Sequence, residues 1–237
     1  MSTKAWIIFA AVCVVLFGGL VVWSSRDNID VSNVKENKVL AATENSGNIA
    51  DHVYGNKESK VILVEYGDFQ CPGCGAAHPT LKALSEKYEN ELAFVFRNFP
   101  LTTIHPNARA AAAAVEAAGI NGKYWEMHNL VFERQSTWSD ASASERADLF
   151  KQFAVDAGVN VEAYEKTLTD ESARINRKIN FDLALGRKIG ANSTPTILLN
   201  GEMLEQADFG SEEALEKKLL EAFEKNGITV SAEDPKE

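Results

Sequence analysis

The chain has 237 residues, of which 45% are hydrophobic, 24% charged and 9% aromatic. That is the balance of an ordinary globular domain and excludes disordered, collagen-like and disulfide-scaffold classes. The net charge is −10, and because cations and anions balance over residues 1–50, the whole acidic excess sits on residues 51–237. An acidic body without a basic stripe repels phosphate backbones, which argues against a nucleic-acid partner.

Ala5 to Trp23 is an uncharged, mostly apolar run. As a helix it spans about 28 Å, close to the hydrocarbon thickness of a bilayer. Trp6 and Trp23 stand at its ends, where indoles favour the membrane interfaces. The run is long for the core of a cleaved signal peptide, and Val22-Trp23-Ser24-Ser25 is no small-x-small cleavage site. Residues 1–25 therefore read as an uncleaved signal-anchor, with Lys4 inside and the body outside. Cys13 reads as an apolar filler of that helix. Residues 26–50 are polar, without a sustained period, and read as a linker, with the domain starting near Asp51.

Val61-Ile62-Leu63-Val64 is a continuous aliphatic run and predicts a strand buried on both faces, as does Leu92-Ala93-Phe94-Val95-Phe96. A helix from Cys71 to about Asn90 between them completes a βαβ unit. From Pro106 to about Gly190 the pattern is almost entirely helical. Helices are expected over Asn107–Ala118, Tyr124–Arg134, Ser144–Ala157, Val161–Leu168 and Ser172–Ile189. Thr196–Leu199 and Glu202–Leu204 flank Asn200-Gly201, a strong hairpin signal. A last helix opens at Ser211 and closes at Lys225-Asn226-Gly227, and residues 229–237 form an acidic tail.

Two of the three cysteines form Cys71-Pro72-Gly73-Cys74, placed after a strand and at the start of a helix. Pro72 suits the first helical position because it has no amide hydrogen to lose. Cys71 then sits where free N–H groups and the positive end of the helix dipole favour a thiolate. That makes it both a nucleophile and a good leaving group, with Cys74 one turn on as the resolving partner. A second reading of the same residues is a metal site, since Cys71, Cys74 and His78 fall on one helix face. No further Cys-x-x-Cys or His-x-x-x-His completes it.

Strand, Cys-Pro-x-Cys, helix, a long helical stretch and then Ser193-Thr194-Pro195-Thr196 before a strand resemble the DsbA-like thiol:disulfide oxidoreductases of the thioredoxin superfamily, membrane-anchored bacterial members above all. The resemblance implies an α/β thioredoxin fold over 51–105 and 190–228, with a helical domain inserted at 106–189 and a transmembrane helix ahead of both. It implies Cys71 as the attacking cysteine, Cys74 as the resolving one, and Pro195 as a cis-proline facing them. The Thr194 backbone would then be free to pair with a bound peptide. Glu65, six residues before Cys71, is implied as a proton relay for Cys74. Asp68 reads as nearer the surface, and His105-Pro106 as a helix-start signal.

The function implied is donation of the Cys71–Cys74 disulfide to reduced exported polypeptides, by a monomer anchored in the cell membrane with its catalytic domain outside the cytoplasm. A quinone-linked membrane partner of the DsbB or VKOR type would reoxidise the dithiol, and no bound cofactor is needed. Pro72-Gly73 tunes the potential. Family members usually carry a polar or aromatic side chain where this chain has Gly73, which keeps a reductase or isomerase open as the alternative, behind it the Cys/His metal module.

Overall fold

The computed structural model describes residues 29–230. The apolar run Ala5–Trp23 and residues 231–237 of the tail lie outside the described residues. Among the described residues, no helix is long and apolar enough to cross a membrane.

Strand β1 (Val53–Gly55) leads to β2 (Val61–Gly67), helix α1 (Pro72–Lys87) and β3 (Leu92–Asn98). β2 and β3 pair in parallel, Val61 opposite Leu92 and Gly67 opposite Asn98. Their unbroken apolar runs are explained by burial on both faces, since every β3 residue is buried. Six helices follow: α2 (Ala108–Ile120), α3 (Tyr124–Glu133), α4 (Gln135–Trp138), α5 (Ala143–Asp156), α6 (Val161–Asp170) and α7 (Ser172–Lys188). Local chemistry fixes several of their starts. Ser142 and Glu145 form a capping box on α5, and the Asn160 side chain accepts the Ala163 N–H on α6.

The chain then returns to the sheet as β4 (Thr196–Leu199), antiparallel to β2, with Glu65 opposite Ile197. The Asn200-Gly201 turn, both residues at positive φ, folds β5 (Glu202–Met203) back onto β4. A short α8 (Gln206–Phe209) and α9 (Glu212–Lys225) end the fold. The sheet order is β1-β3-β2-β4-β5, with β1 antiparallel to the outer edge of β3.

Two apolar clusters hold these elements. One packs Leu81 and Leu84 of α1 with Leu215, Leu219 and Phe223 of α9 over Leu63, Phe94 and Ile197 of the sheet. The other fills the helical insertion and reaches the sheet through Phe69 and Phe96. Its centre is Trp138, fully buried, whose indole N–H donates to Val131 O at 2.9 Å.

Residues 31–50 are not the free tether expected of the linker. They form a strap that belongs to the same compact unit as the domain. Arg97 donates to Glu36 O at 2.6 Å and Lys38 O at 2.7 Å, and Lys188 reaches Val34 O at 2.6 Å. Arg174 and Arg177 donate to Gly47 O and Glu44 O. Three cationic side chains of α7 and one of β3 thus satisfy strap carbonyls that have no ladder of their own. The strap ends in a buried ionic network absent from the sequence reading. Asp51 meets Arg97 at 2.8 Å and Lys178 at 3.0 Å, and Lys178 meets Asp182 at 2.7 Å. Burial works to raise the Asp51 carboxyl, but the Lys178 and Arg97 charges override it and hold it at about 2.

Candidate active site

Cys71 is the residue before the first turn of α1, in extended conformation, with Pro72 following and no side chain capping the helix. The N–H groups of Gly73 and Cys74 are therefore available to the Cys71 sulfur. Both cysteines are free thiols and buried, Cys74 completely. The Cys71 thiol is lowered to about 5, first by its hydrogen bond with the Cys74 thiol, then, against its own burial, by its neighbour Thr194 and the backbone N–H groups of Cys74 and Gly73. Cys74 goes the other way. Burial pushes it well above an ordinary thiol, and the bond to Cys71 and the Glu65 charge add to that.

The Thr194–Pro195 peptide bond is cis, and Cys71 Sγ lies 3.3 Å from Thr194 O. The segment before β4 therefore stands directly against the dithiol. A Cβ on Gly73 would come within 3.3 Å of Pro195 Cδ, so the position between the cysteines has little room for a side chain.

Glu65 is 2% exposed, on β2 beneath the pair. Burial raises its carboxyl to about 8, the Cys74 hydrogen bond opposing and the Cys71 charge adding. Its Oε1 has no hydrogen-bond partner among the described residues. A carboxyl held near neutrality in contact with a high-pKa thiol can deliver or collect that thiol's proton.

Cys71, Pro72, Gly73, Cys74, Glu65, Thr194 and Pro195 thus lie together. His78 does not join them. Its ring stacks on Phe132 with centroids 5.0 Å apart and meets His128 at 5.5 Å. Among the described residues no three His, Cys, Asp or Glu side chains gather as metal ligands, so the three-ligand reading of Cys71, Cys74 and His78 fails on geometry.

Two further corrections concern the loops around the pair. Asp68 is 1% exposed rather than near the surface. Its carboxylate accepts from the Gln70 and Leu101 N–H groups at 2.8 Å each and sits 2.7 Å from His105 Nδ1. His105 is therefore tied to the active-site loop, beyond its position at a helix start. The Asp68 N–H itself points at Cys74 Sγ, 3.5 Å away. Gln135, which the sequence reading passed over, reaches in from α4 and donates to Phe69 O at 2.8 Å and Cys71 O at 2.9 Å. No local pattern marks it, because the contact joins residues more than sixty positions apart.

Comparison with known proteins agrees with this fold. The structure is similar to BdbD from Bacillus subtilis, with TM-score 0.62 and 19% identity over 79% of this chain and 98% of that one. It is similar to the thiol-disulfide exchange protein α-DsbA2 from Wolbachia pipientis, with TM-score 0.61 and 21% identity over 73% of this chain and 87% of that one. A curated sequence relative, the Na(+)/H(+) antiporter NhaA 1 of Mycolicibacterium vanbaalenii, is 35% identical over 153 residues, 64% of this chain but 23% of that protein. The chain thus spans about a quarter of the length of the curated relatives it matches, and nothing about ion transport carries over with so small a share. The thioredoxin family model matches residues 47–219, which include the dithiol, Glu65 and the Thr194–Pro195 bond, and the chain belongs to that family.

Proposed function

We propose that the protein is an extracytoplasmic thiol:disulfide oxidoreductase that donates a Cys71–Cys74 disulfide to exported polypeptides. The observation that carries this reading is the opposed pair of thiols, Cys71 lowered to about 5 and Cys74 raised well above its ordinary value. In the donating direction a substrate thiolate attacks Cys71 of the disulfide. A mixed disulfide forms at Cys71, and the Cys71–Cys74 bond breaks. The electron pair leaves on Cys74, whose high proton affinity is met by Glu65, protonated at neutral pH. A second substrate thiolate then attacks the substrate sulfur and expels Cys71 as a stabilised thiolate. The substrate is oxidised by two electrons and the pair Cys71/Cys74 is left reduced.

The Thr194 carbonyl beside Cys71 supports peptide docking as an added strand along this segment. Reoxidation of the dithiol belongs, in this reading, to a quinone-linked membrane partner of the DsbB or VKOR type. Ala5–Trp23 is proposed as the anchor that keeps the body outside the cytoplasm, where disulfides persist. Gly73 favours the alternative of a reductase or isomerase, because it adds neither donor nor cation beside Cys71.

The test mixes the oxidised full chain with an equimolar reduced two-cysteine peptide at pH 7. The peptide should be recovered as its disulfide and the protein as the dithiol. A peptide left reduced, with the Cys71–Cys74 disulfide intact, contradicts the proposal.

A further inference from the structure

The helical insertion grips the active-site loop through a single amide nitrogen that reaches the Cys71 backbone. Gln135 Nε2 donates to Phe69 O at 2.8 Å and to Cys71 O at 2.9 Å, so one amide group holds the carbonyls on both sides of Gln70. The Cys71 carbonyl also accepts the Gly75 N–H at 3.1 Å. Fixing the Cys71 carbonyl fixes the backbone rotation of the residue that carries the sulfur. That rotation decides whether Sγ faces the Gly73 and Cys74 N–H groups. Donation to this carbonyl also offsets the negative end of the peptide dipole nearest the thiolate. The seat for the amide is Gly75. A Cβ there would stand 2.6 Å from Gln135 Oε1 and 3.1 Å from Nε2, so only a glycine lets the amide lie in this position. A second bridge holds the same strands of chain together, since Gln70 donates to Ser139 O and accepts from Asn107 N.

We propose that Gln135, seated on Gly75, is a positioning residue for Cys71, through which the helical insertion sets the acidity and redox poise of the dithiol. The inference rests on the reading of Cys71 and Cys74 as an exchanging pair. It assigns to α4 a role in the chemistry that neither the sequence pattern nor its distance in the chain discloses.

The full chain is tested as wild type, Gln135→Ala, Gln135→Glu, Gly75→Ala and the Gly75→Ala/Gln135→Ala double variant. The Cys71 pKa is read from the pH dependence of iodoacetamide alkylation, which needs no exchange partner. The dithiol–disulfide equilibrium constant is read against glutathione, and a denaturant midpoint reports the fold. Loss of two hydrogen bonds should raise the Cys71 pKa and shift the equilibrium toward the disulfide about tenfold. Gln135→Glu keeps the shape but loses the donor, and should do the same. Gly75→Ala displaces the amide and should reproduce Gln135→Ala. Added to Gln135→Ala it should change neither redox readout and should stabilise the helix, as alanine for glycine does where nothing opposes it.

A Gln135→Ala protein with the wild-type Cys71 pKa and equilibrium, and only a lowered denaturant midpoint, overturns the inference while leaving the proposed function standing. A wild type that does not exchange with glutathione overturns the proposed function. The alkylation pKa still decides whether Gln135 positions Cys71.

Discussion

Glu65 and the two cysteines share one small volume: both cysteines act on the Glu65 carboxyl, Glu65 and Cys71 both raise Cys74, and Cys74 lowers Cys71. A carboxyl raised to about 8 from about 4.5 lets the folded state bind more protons than the unfolded one between those limits. Stability from this group is therefore fullest at acid pH and is lost as pH rises through that window. The loss between pH 4.5 and 7 is about 3 kcal/mol from this residue alone. Glu65→Gln has no such dependence. Urea unfolding at pH 5 and pH 7.5 should show the variant gaining on the wild type at the higher pH, and equal slopes for both proteins contradict the assignment. In the proposed reaction the same substitution removes the proton donor for Cys74 as the Cys71–Cys74 bond breaks, so mixed-disulfide formation at pH 7 should slow by about a hundredfold, measured by stopped-flow with a thiol peptide and the oxidised protein. Cys71 should alkylate with iodoacetamide half-maximally near pH 5, and Cys74 should stay unmodified at neutral pH in the folded protein.

Among the elements, the strap of residues 31–50 carries the clearest stability prediction. Arg97 is fully buried and donates to two strap carbonyls, the Tyr66 hydroxyl and Asp51. Arg97→Met leaves the Asp51 carboxylate and both carbonyls short of a partner, and should cost about 3–5 kcal/mol in urea unfolding. A loss under 1 kcal/mol shows that the strap is not held as described. Much of the element pattern was legible in the sequence. Val61–Val64 and Leu92–Phe96 read as two-sided strands because no polar residue interrupts them. Asn200-Gly201 read as a hairpin because its two residues tolerate positive φ. β1 was not legible, since three residues paired on the edge of β3 make no pattern of their own. The strap was missed for a related reason. Its polar sequence resembles a linker, and its order comes from Arg97, Arg174, Arg177 and Lys188, far along the chain. The site divides in the same way. Cys71 and Cys74 announce themselves by residue type and spacing, and Pro195 is reached only through the family resemblance, whereas the roles of Asp68 and Gln135 depend on tertiary contacts alone.

At the scale of the whole molecule, one chain supplies the dithiol from a strand-to-helix turn, a buried carboxyl from the neighbouring strand, the facing cis-peptide segment from the far side of a long insertion, and a grip on the loop from that insertion. The common effect of these parts is to stabilise the reduced form, because the thiolate of Cys71 is favoured and a disulfide has no thiolate to favour. In the proposed function, that poise lets the protein give its disulfide away. The direct test is the reduction potential of the full chain, equilibrated in glutathione buffers at pH 7. The account predicts a value well above that of thioredoxin, between about −180 and −120 mV, the range of disulfide-donating proteins. A value near about −270 mV contradicts it and makes the protein a reductase that draws electrons from a donor.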